Sequence, residues 1–176
     1  NGNLNAFTVK AWDGALASST AVQVVVTTAA VNDAPTLTTI STLAGATEDT
    51  AYSVTYAALS AAADEADIEG TTLSFRVEAV STGTLTEGGV AVVPGVTLLS
   101  TGETWVWTPA ANANGTLNAF TVKAWDGALA SSTAIQVVVT TGAVNDAPTL
   151  TTVSTLAGAT EDTAYSVTYA ALSAAA

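Results

Sequence analysis

The side chains of this chain that could do chemistry are carboxylates and amides, and they recur in a few short segments. Ca²⁺ takes six to eight oxygen ligands from carboxylates, amides, carbonyls and water, and loops supply such oxygens readily. Acidic residues in a loop also occur simply as solvated surface, so both interpretations stay open at this point. The segments are Asn-Asp at 32–33 and 145–146, Thr-Glu-Asp-Thr at 47–50 and 160–163, Ala-Trp-Asp-Gly at 11–14 and 124–127, and an acidic stretch at 64–70 that contains Asp64, Glu65, Asp67 and Glu69.

The residue types that are missing exclude several kinds of catalysis. The chain has no Cys, no Met and no His. A tetrahedral zinc site of the usual kind needs Cys or His, and a Ser-His-Asp or Cys-His nucleophile needs His. Paired carboxylates can hydrolyse glycosides, but the acids here lie in predicted loops without a matching set of pocket residues. We therefore predict that the protein is not an enzyme.

The charge balance bears on partners. Fifteen acidic residues face three basic ones, which gives a net charge of −12 and a pI near 4.1. Phosphate binding needs a basic patch, so nucleic acid and anionic membrane surfaces are poor partners. An acidic surface suits divalent cations and an extracellular or high-salt setting, or it simply keeps an apolar chain soluble. No run of apolar residues is long enough to predict a membrane span.

The chain repeats itself. Residues 1–63 and 114–176 match at 59 of 63 positions with an offset of 113 residues, and the four differences are Asn3/Thr116, Val22/Ile135, Ala29/Gly142 and Ile40/Val153. A period of this length corresponds to a small domain rather than to one coil of a solenoid. We therefore expect residues 31–143 to form one complete repeat. Residues 1–30 are expected to be the C-terminal part of a preceding repeat, and residues 144–176 the N-terminal part of a following one.

The two partial repeats bear on assembly. Each is predicted to contain only two strands, which leaves an apolar face and open strand edges that a partial repeat cannot bury. We expect these ends to be disordered or paired with another chain. The chain is then a window on a polymer or filament of neighbouring identical repeats, which are either covalently continuous or separate subunits.

Alternating apolar residues and an abundance of Val and Thr predict an all-β fold. Strands are expected at 36–42, 50–56 and 134–141, a hairpin at 84–92 with its turn at 87–89, and either a helical turn or an irregular crossing at 57–63. Short strands separated by frequent turns predict an antiparallel Ig-like or cadherin-like β-sandwich. The predicted core consists of Leu73, Phe75, Val77, Trp105, Trp107, Phe120, Val122, Val137 and Val139.

Two pairs of tryptophans have different predicted roles. Trp105 and Trp107 could stack on a sugar, but their spacing of two on a short strand favours the core. Trp12 and Trp125 have the opposite parity to the apolar residues before them, so they should face outward. An outward Trp either covers a neighbouring loop or contacts a protein or a glycan.

The segment Phe7–Pro35 carries a resemblance to known repeats. Its strand with Ala-Trp-Asp-Gly, its Ser/Thr-rich strand and its Val-Asn-Asp-Ala-Pro linker are similar to the end of cadherin-like repeats. Together with Glu-Asp-Thr and Thr-Pro-Ala-Ala-Asn-Ala-Asn-Gly (108–115), the chain more closely resembles bacterial cadherin-like and VCBS-type Ig-like repeats of giant secreted adhesins. The resemblance implies a seven-stranded sandwich, end-to-end stacking and Ca²⁺ at the junctions.

The resemblance also implies a set of calcium ligands. It places linker ligands, an acidic residue early in the repeat, an acidic pair facing the preceding junction and the Asp of the Trp-Asp-Gly segment near the repeat ends. Two departures, the neutral Asn112 and Asn114 and a shorter linker motif, imply one ion per junction or a dry junction. The implied ligands are Asn32, Asp33, Glu48, Asp64, Asp67, Asp126, Asn145, Asp146 and Glu161.

The function that follows from these expectations is a structural or adhesive repeat of a large bacterial protein, extracellular or on the cell surface, acting as a stalk or filament. The alternative is a binding module in which the face with Trp12 and Trp125 recognises a surface glycan or a protein.

Overall fold

The computed structural model describes residues 1–176, which fall into two compact units, Asn1–Ala143 and Val144–Ala176. The elements of the first unit are β1 (Gly2–Val9), β2 (Val22–Thr28), β3 (Leu43–Thr47), β4 (Tyr52–Thr55), α1 (Tyr56–Ala62), β5 (Ser74–Val80), β6 (Thr84–Glu87), β7 (Val90–Ala91), β8 (Leu98–Leu99), β9 (Thr104–Thr108), β10 (Gly115–Trp125) and β11 (Ile135–Gly142); the second unit contains α2 (Tyr169–Ala175).

The strands after residue 31 form two sheets. One has five strands in the order β3-β11-β10-β5-β8, and the other has four in the order β4-β9-β6-β7. Neighbouring strands are antiparallel except for β3, which runs parallel to β11 with Val139 opposite Leu43. The all-β sandwich predicted from the sequence is therefore confirmed, with one parallel pair at the edge of the larger sheet.

The core lies between the inward faces of the two sheets. All nine predicted core residues are buried, and Trp105 and Trp107 are fully inaccessible. Trp105 of the smaller sheet meets Phe120 of the larger one edge to face, with ring centroids 5.7 Å apart. The indole N–H of Trp107 donates to the carbonyl of Thr82 at 2.8 Å, which satisfies its polar group. The two tryptophans are thus core residues and do not form a sugar platform.

A bulge shapes β10. The pairing of β10 with β11 shifts between Asn118 and Phe120, so the strict alternation of inward and outward residues is interrupted. As a result Ala119 and Phe120 are both buried although they are consecutive. Beyond the bulge the alternation resumes, and Val122 and Ala124 continue the inward face.

The predicted hairpin is confirmed. β6 pairs with β7 through Glu87 and Val90, and the two residues between them are Gly88 and Gly89. Both glycines have positive φ, 56° and 82°, which a tight two-residue turn between antiparallel strands requires.

The prediction of a first strand at 36–42 is wrong. Only two isolated bridges occur there, Thr36 with Ala66 and Ile40 with Ala63, and the strand forms later as β3. The physical reason is that the carboxylate of Asp64 accepts the backbone N–H groups of Thr38 and Thr39 at 2.8 and 2.9 Å. These donors are then no longer available to a neighbouring strand.

The ambiguous stretch at 57–63 is a short helix. Thr55 caps α1, because its hydroxyl accepts the N–H of Ala58 at 3.1 Å. Alanine has the highest helix propensity and dominates this segment. The leucine of the helix, Leu59, is fully buried.

The repeat provides an internal comparison for the last two strands. β1 and β2 pair in the same register as β10 and β11 and carry the same bulge, here between Asn5 and Phe7. The hairpin therefore forms from its own sequence. Its apolar residues remain accessible, however: Phe7 is 57% exposed, whereas its equivalent Phe120 is fully buried.

Residues 144–176 provide the corresponding comparison for residues 31–63. Helix α2 repeats α1, with Thr168 as the cap in place of Thr55. The residues Leu156–Thr160 have the same sequence as β3 but form no strand. Helix and cap are thus local features, whereas β3 depends on a partner strand.

Replacement of equivalent phenylalanines should separate packing from local structure. Phe120→Ala removes a fully buried ring and should lower the free energy of unfolding by about 3–5 kcal/mol. Phe7→Ala is the matched control, since the same residue is exposed there, and its effect should stay within about 0.5 kcal/mol. Urea denaturation followed by tryptophan fluorescence measures both. Equal effects of the two substitutions would contradict this assignment of the core.

Candidate functional site

The linker that follows β2 is tied to the remote end of β10. The side-chain amide of Asn32 donates to Oδ2 of Asp126 at 2.8 Å, across 94 residues of sequence. The next residue is held as well, because the N–H of Asp33 donates to Oε2 of Glu69 at 3.3 Å. The Asn-Asp pair of the linker and the acidic loop at 64–70 therefore meet at one end of the sandwich.

Asp126 is oriented by its own turn. Its Oδ1 accepts the N–H groups of Ala128 and Leu129, both at 2.6 Å. These bonds, with that from Leu129 contributing most, and the amide of Asn32 lower the pKa of Asp126 below its ordinary value. The carboxylate is therefore fixed in position and charged at neutral pH.

Asp67 lies close enough to Asp126 for the two charges to interact. Oδ2 of Asp67 accepts the N–H and the hydroxyl of Thr71 at 3.0 and 2.8 Å, and these bonds lower its pKa, while the charge of Asp126 opposes the shift. Oδ1 of Asp67 is buried and has no hydrogen-bond donor within the protein. A buried carboxylate oxygen without a donor, beside a second carboxylate, is a position that favours a cation.

Asp64 serves the backbone instead. Its carboxylate accepts the hydroxyl of Thr38 and the N–H groups of Thr38 and Thr39. These bonds hold the pKa of Asp64 well below its usual range. Asp64 therefore anchors residues 38–39, and its oxygens are already used by protein donors.

Glu48 lies at the other end of the sandwich from the linker, beside the beginning of β10. Its side chain is buried, and its Oε2 accepts the side-chain amide of Asn114 at 2.7 Å. The neighbouring Asp49 accepts the N–H of Asn112 at 3.0 Å. The two asparagines that depart from the acidic pattern thus donate to acidic residues of the turn after β3, where additional carboxylates would repel them.

The remaining predicted ligands lie in the second unit. Asn145 and Asp146 begin it, and the amide of Asn145 contacts the carbonyl of Asp146 at 3.4 Å, as Asn32 contacts Asp33 in the first unit. Glu161 is exposed, in contrast to its buried equivalent Glu48. This contact is therefore local, whereas burial of the glutamate requires the sandwich.

The number of carboxylates limits what the linker site can hold. No three acidic side chains of the structure come together in an arrangement that could hold a metal ion. What the linker offers is the pair Asp67 and Asp126 with Asn32 bonded to one of them. This donor set is poorer than the six to eight oxygens that Ca²⁺ takes, so protein carbonyls and water would have to complete the shell.

The outward tryptophans have different surroundings. Trp12 is 67% exposed. Trp125 is half-buried, and the guanidinium of Arg76 lies over its ring at 4.8 Å from the centroid. Arg76 also forms an ion pair with Glu78 at 2.7 Å. In the complete sandwich the indole face is thus covered by a cation–π contact.

Several partners of the site were not found from the sequence. Thr38, Thr71 and Arg76 hold Asp64, Asp67 and Trp125, but threonine is abundant in this chain and carries no motif. The donors to Asp64 lie 26 and 25 residues earlier in the chain, so no local signal in the sequence connects Thr38 with this carboxylate.

Two sheets enclose one apolar core, and the last strand, β11, pairs with the edge strand β3. This arrangement defines an immunoglobulin-like β-sandwich. The family model of the bacterial Ig domain matches residues 32–140. The chain therefore belongs to the bacterial Ig domain family, whose members are typically structural or adhesive rather than enzymatic. No curated protein and no solved structure matches the chain. Neither of its two short helices has the length and apolar character needed to cross a bilayer.

The pKa shifts predict the response of stability to acid. Asp64 and Asp126 have lowered pKa values in the folded state, so their stabilisation is present above about pH 4 and is lost as the pH falls through the lowered values. In the variants Asp64→Asn and Asp126→Asn, the free energy of unfolding should therefore fall less steeply with decreasing pH below pH 4. Each substitution should reduce this slope by an amount that corresponds to at most about one bound proton.

Glu87 is the control of opposite sign. Burial, and then the charge of Glu103, raise its pKa, so protonation of Glu87 favours the folded state and its ionisation opposes it. Glu87→Gln should leave the acid loss in place and should raise stability slightly at neutral pH. Urea denaturation between pH 2 and pH 7 measures the free energy of unfolding of all three variants. If its dependence on pH below pH 4 is unchanged in the two aspartate variants, the assignment is contradicted.

Proposed function

We propose that this protein is a structural or adhesive segment of a bacterial stalk or filament, extracellular or on the cell surface, in which immunoglobulin-like repeats follow one another. The finer relationship is to cadherin-like and VCBS-type repeats, and the polymer consists of neighbouring identical repeats or subunits. Residues 1–30, 31–143 and 144–176 are then the end of one repeat, a complete repeat and the beginning of the next.

The observation that carries this proposal is the near-identity of two sequence segments that lie one domain length apart. Arrays of near-identical domains serve reach, mechanical continuity or multivalency, because each unit repeats one surface and one linker. The match of residues 32–140 to the bacterial Ig domain supports it. The absence of His and Cys and the position of the acids in loops support a role without catalysis.

A stalk needs linkers that resist bending. The linker after β2 supports this role, because the Asn32–Asp126 bond and the Asp33–Glu69 bond attach two consecutive linker residues to the sandwich. Pro35, which cannot donate a backbone hydrogen bond and has a fixed φ, follows two residues after Asp33 and is buried. A linker attached in this way has fewer conformations than a flexible glycine-rich one.

Calcium at this linker is the finer part of the proposal. The uncompensated Oδ1 of Asp67, the nearby charge of Asp126 and the overall charge of −12 favour one cation per junction. The side-chain oxygen of Asn32 and the backbone carbonyls of Asn32 and Asp33 supply further neutral oxygens. With only two carboxylates in reach, the ion should bind weakly, in the range of extracellular calcium modules with Kd of roughly 10⁻⁴–10⁻³ M.

Calorimetry tests the calcium proposal on the 176-residue chain. Titration with Ca²⁺ should release or absorb heat, and millimolar Ca²⁺ should raise the Tm by a few degrees, since the ion binds the folded linker and not the unfolded chain. Asp67→Asn and Asp126→Asn should abolish the increase. Asp13→Asn is the matched control, because Asp13 forms the same turn without an Asn32 equivalent.

If Ca²⁺ gives neither heat nor a change in Tm, the junction is dry and the structural role remains. That role itself is tested by the stiffness of a tandem of two complete 113-residue repeats. Small-angle scattering should give an end-to-end distance close to twice that of one repeat. A distribution of distances as broad as that of a flexibly linked pair would contradict the stalk.

A second candidate function, a glycan- or protein-binding module, is favoured by one observation, the 67% exposure of Trp12. Exposed aromatic residues are enriched at recognition surfaces. The cover of Trp125 by Arg76 argues against the same use of the equivalent site in the complete sandwich.

Glycan arrays distinguish the two functions. For a stalk we expect no saturable binding by the wild-type chain, and Trp125→Ala should act only by loosening Arg76. Saturable binding that Trp12→Ala or Trp125→Ala removes, while Val90→Ala at another exposed position leaves it intact, would favour the module instead.

A further inference from the structure

The outer face of the larger sheet carries both basic residues of the segment 31–143. Arg76 of β5 lies directly opposite Lys123 of β10. Both side chains point away from the core, because the preceding residues Phe75 and Val122 are buried and side chains alternate along a strand. The strands of this sheet contain one acidic residue, Glu78, and those of the smaller sheet contain no basic residue. Positive charge is therefore concentrated on one face of a chain whose net charge is −12.

Arg76 is fixed in this face but keeps free hydrogen-bond donors. Its Nε donates to Oε1 of Glu78 at 2.7 Å, and its guanidinium carbon lies 4.8 Å from the ring centroid of Trp125. These two contacts orient the plane of the guanidinium. Its Nη groups donate to no acceptor of the chain and are not among the buried polar atoms. A guanidinium with free Nη groups can bind a further carboxylate.

Glu78 has the complementary free acceptor. Its Oε1 accepts the bond from Arg76, while its Oε2 accepts none and is not buried. The side chains of Arg76 and Glu78 are 20% and 22% exposed, so both reach the surface. Donors and an acceptor without partners thus lie side by side on the same face.

The charges of the face are not balanced within one chain. One carboxylate, that of Glu78, stands beside two cations, and Lys123 donates only to the neutral carbonyl of Ser132, at 3.1 Å. Like charges directly opposite each other on neighbouring strands destabilise a sheet. A second carboxylate brought to this face would reduce the repulsion between Arg76 and Lys123.

We propose that two copies of this chain associate through the outer faces of their larger sheets. The copies are related by a two-fold axis, and the Nη groups of Arg76 in each copy donate to Oε2 of Glu78 in the other. Such a contact is isologous, because both copies supply the same donors and acceptors. It joins two ion pairs into one network of four charges and brings a second carboxylate to each pair of cations.

Charge and residue type favour a second copy as the partner. Two chains of net charge −12 repel each other over most of their surfaces, whereas this face presents both signs and is complementary to itself. Trp125 lies in the same face and is half-buried. Tryptophan and arginine are the residue types most enriched at the energetically important positions of protein interfaces.

The contact between two single faces should be weak, because ion pairs near the surface contribute little individually. In an array, each repeat presents the same face, so neighbouring stalks would be held side by side by several contacts at once. This consequence for arrays rests on the proposed function. The association of two chains does not.

Exchange of charges tests the proposal on the 176-residue chain. One variant carries Arg76→Glu and a second carries Glu78→Arg. Each variant alone brings like charges together in the proposed dimer, so its dissociation constant should rise at least about tenfold above that of the wild type. Mixed in equal amounts, the two variants should associate again, because position 76 of each then faces the opposite charge at position 78 of the other. Sedimentation equilibrium over a series of protein concentrations measures all four samples.

Two further variants make the result interpretable. Thr84→Glu adds a negative charge at an exposed position of the smaller sheet and should leave the dissociation constant unchanged. Glu78→Gln removes the accepting charge without creating a new one, and it should also weaken the dimer. It replaces either charge-exchange variant that circular dichroism shows to be unfolded.

A wild-type chain that stays monomeric at about 1 mM would overturn the proposal. So would a mixture of the two variants that associates no more strongly than each alone, or a Glu78→Gln dimer as stable as that of the wild type. None of these outcomes affects the stiffness of a two-repeat tandem or the calcium titration, so this inference and the proposed function fail separately.

Discussion

The structure depends on strand pairing between segments that are remote in sequence. β3 pairs with β11 and β4 with β9, so the beginning of the sandwich is completed only by its end. An extended segment cannot satisfy its own backbone N–H and C=O groups, whereas a helix does so internally. The repeat makes this visible, because the second copy of the β3 sequence keeps its glycine angle and its tyrosine contact but is not a strand.

The same need to satisfy unpaired backbone groups determines where several acidic side chains lie. At three places where the chain does not pair as a strand, a carboxylate accepts unpaired backbone N–H groups. The three are Asp64 after the helix, Asp67 in the acidic loop and Asp126 after β10. These carboxylates are therefore committed to holding turns. At the linker, Asp67 and Asp126 from two different turns approach each other, and Oδ1 of Asp67 is left without a donor within the protein.

How far the sequence predicts this protein depends on whether the signal is local. Alternation identified Trp105, Trp107 and the inward residues of β10 and β11, and two consecutive glycines identified a hairpin turn. β3 was missed, because Leu-Ala-Gly-Ala-Thr has neither alternation nor strand propensity and becomes a strand only beside β11. Of the site, motif similarity could bring Asn32 and Asp126 to one end of the sandwich. It could not reveal Thr38 and Thr71, because threonine is common in this chain and only the folded structure brings these two residues to Asp64 and Asp67.

The parallel pairing of β3 has a consequence for the order of folding. Ribosomes extend a chain at about 5–20 residues per second, so β2 and β3 are both made several seconds before β11. During that time β2, whose sequence is nearly that of the final partner β11, is already present in the chain. The native arrangement, in which β3 lies on β11, therefore requires either that this early pairing does not form or that it is exchanged once the core assembles. The two nearly identical strands differ in their surroundings, because β11 is joined through β10 to the sheet whose inward residues form the core, whereas β2 pairs with β1 alone.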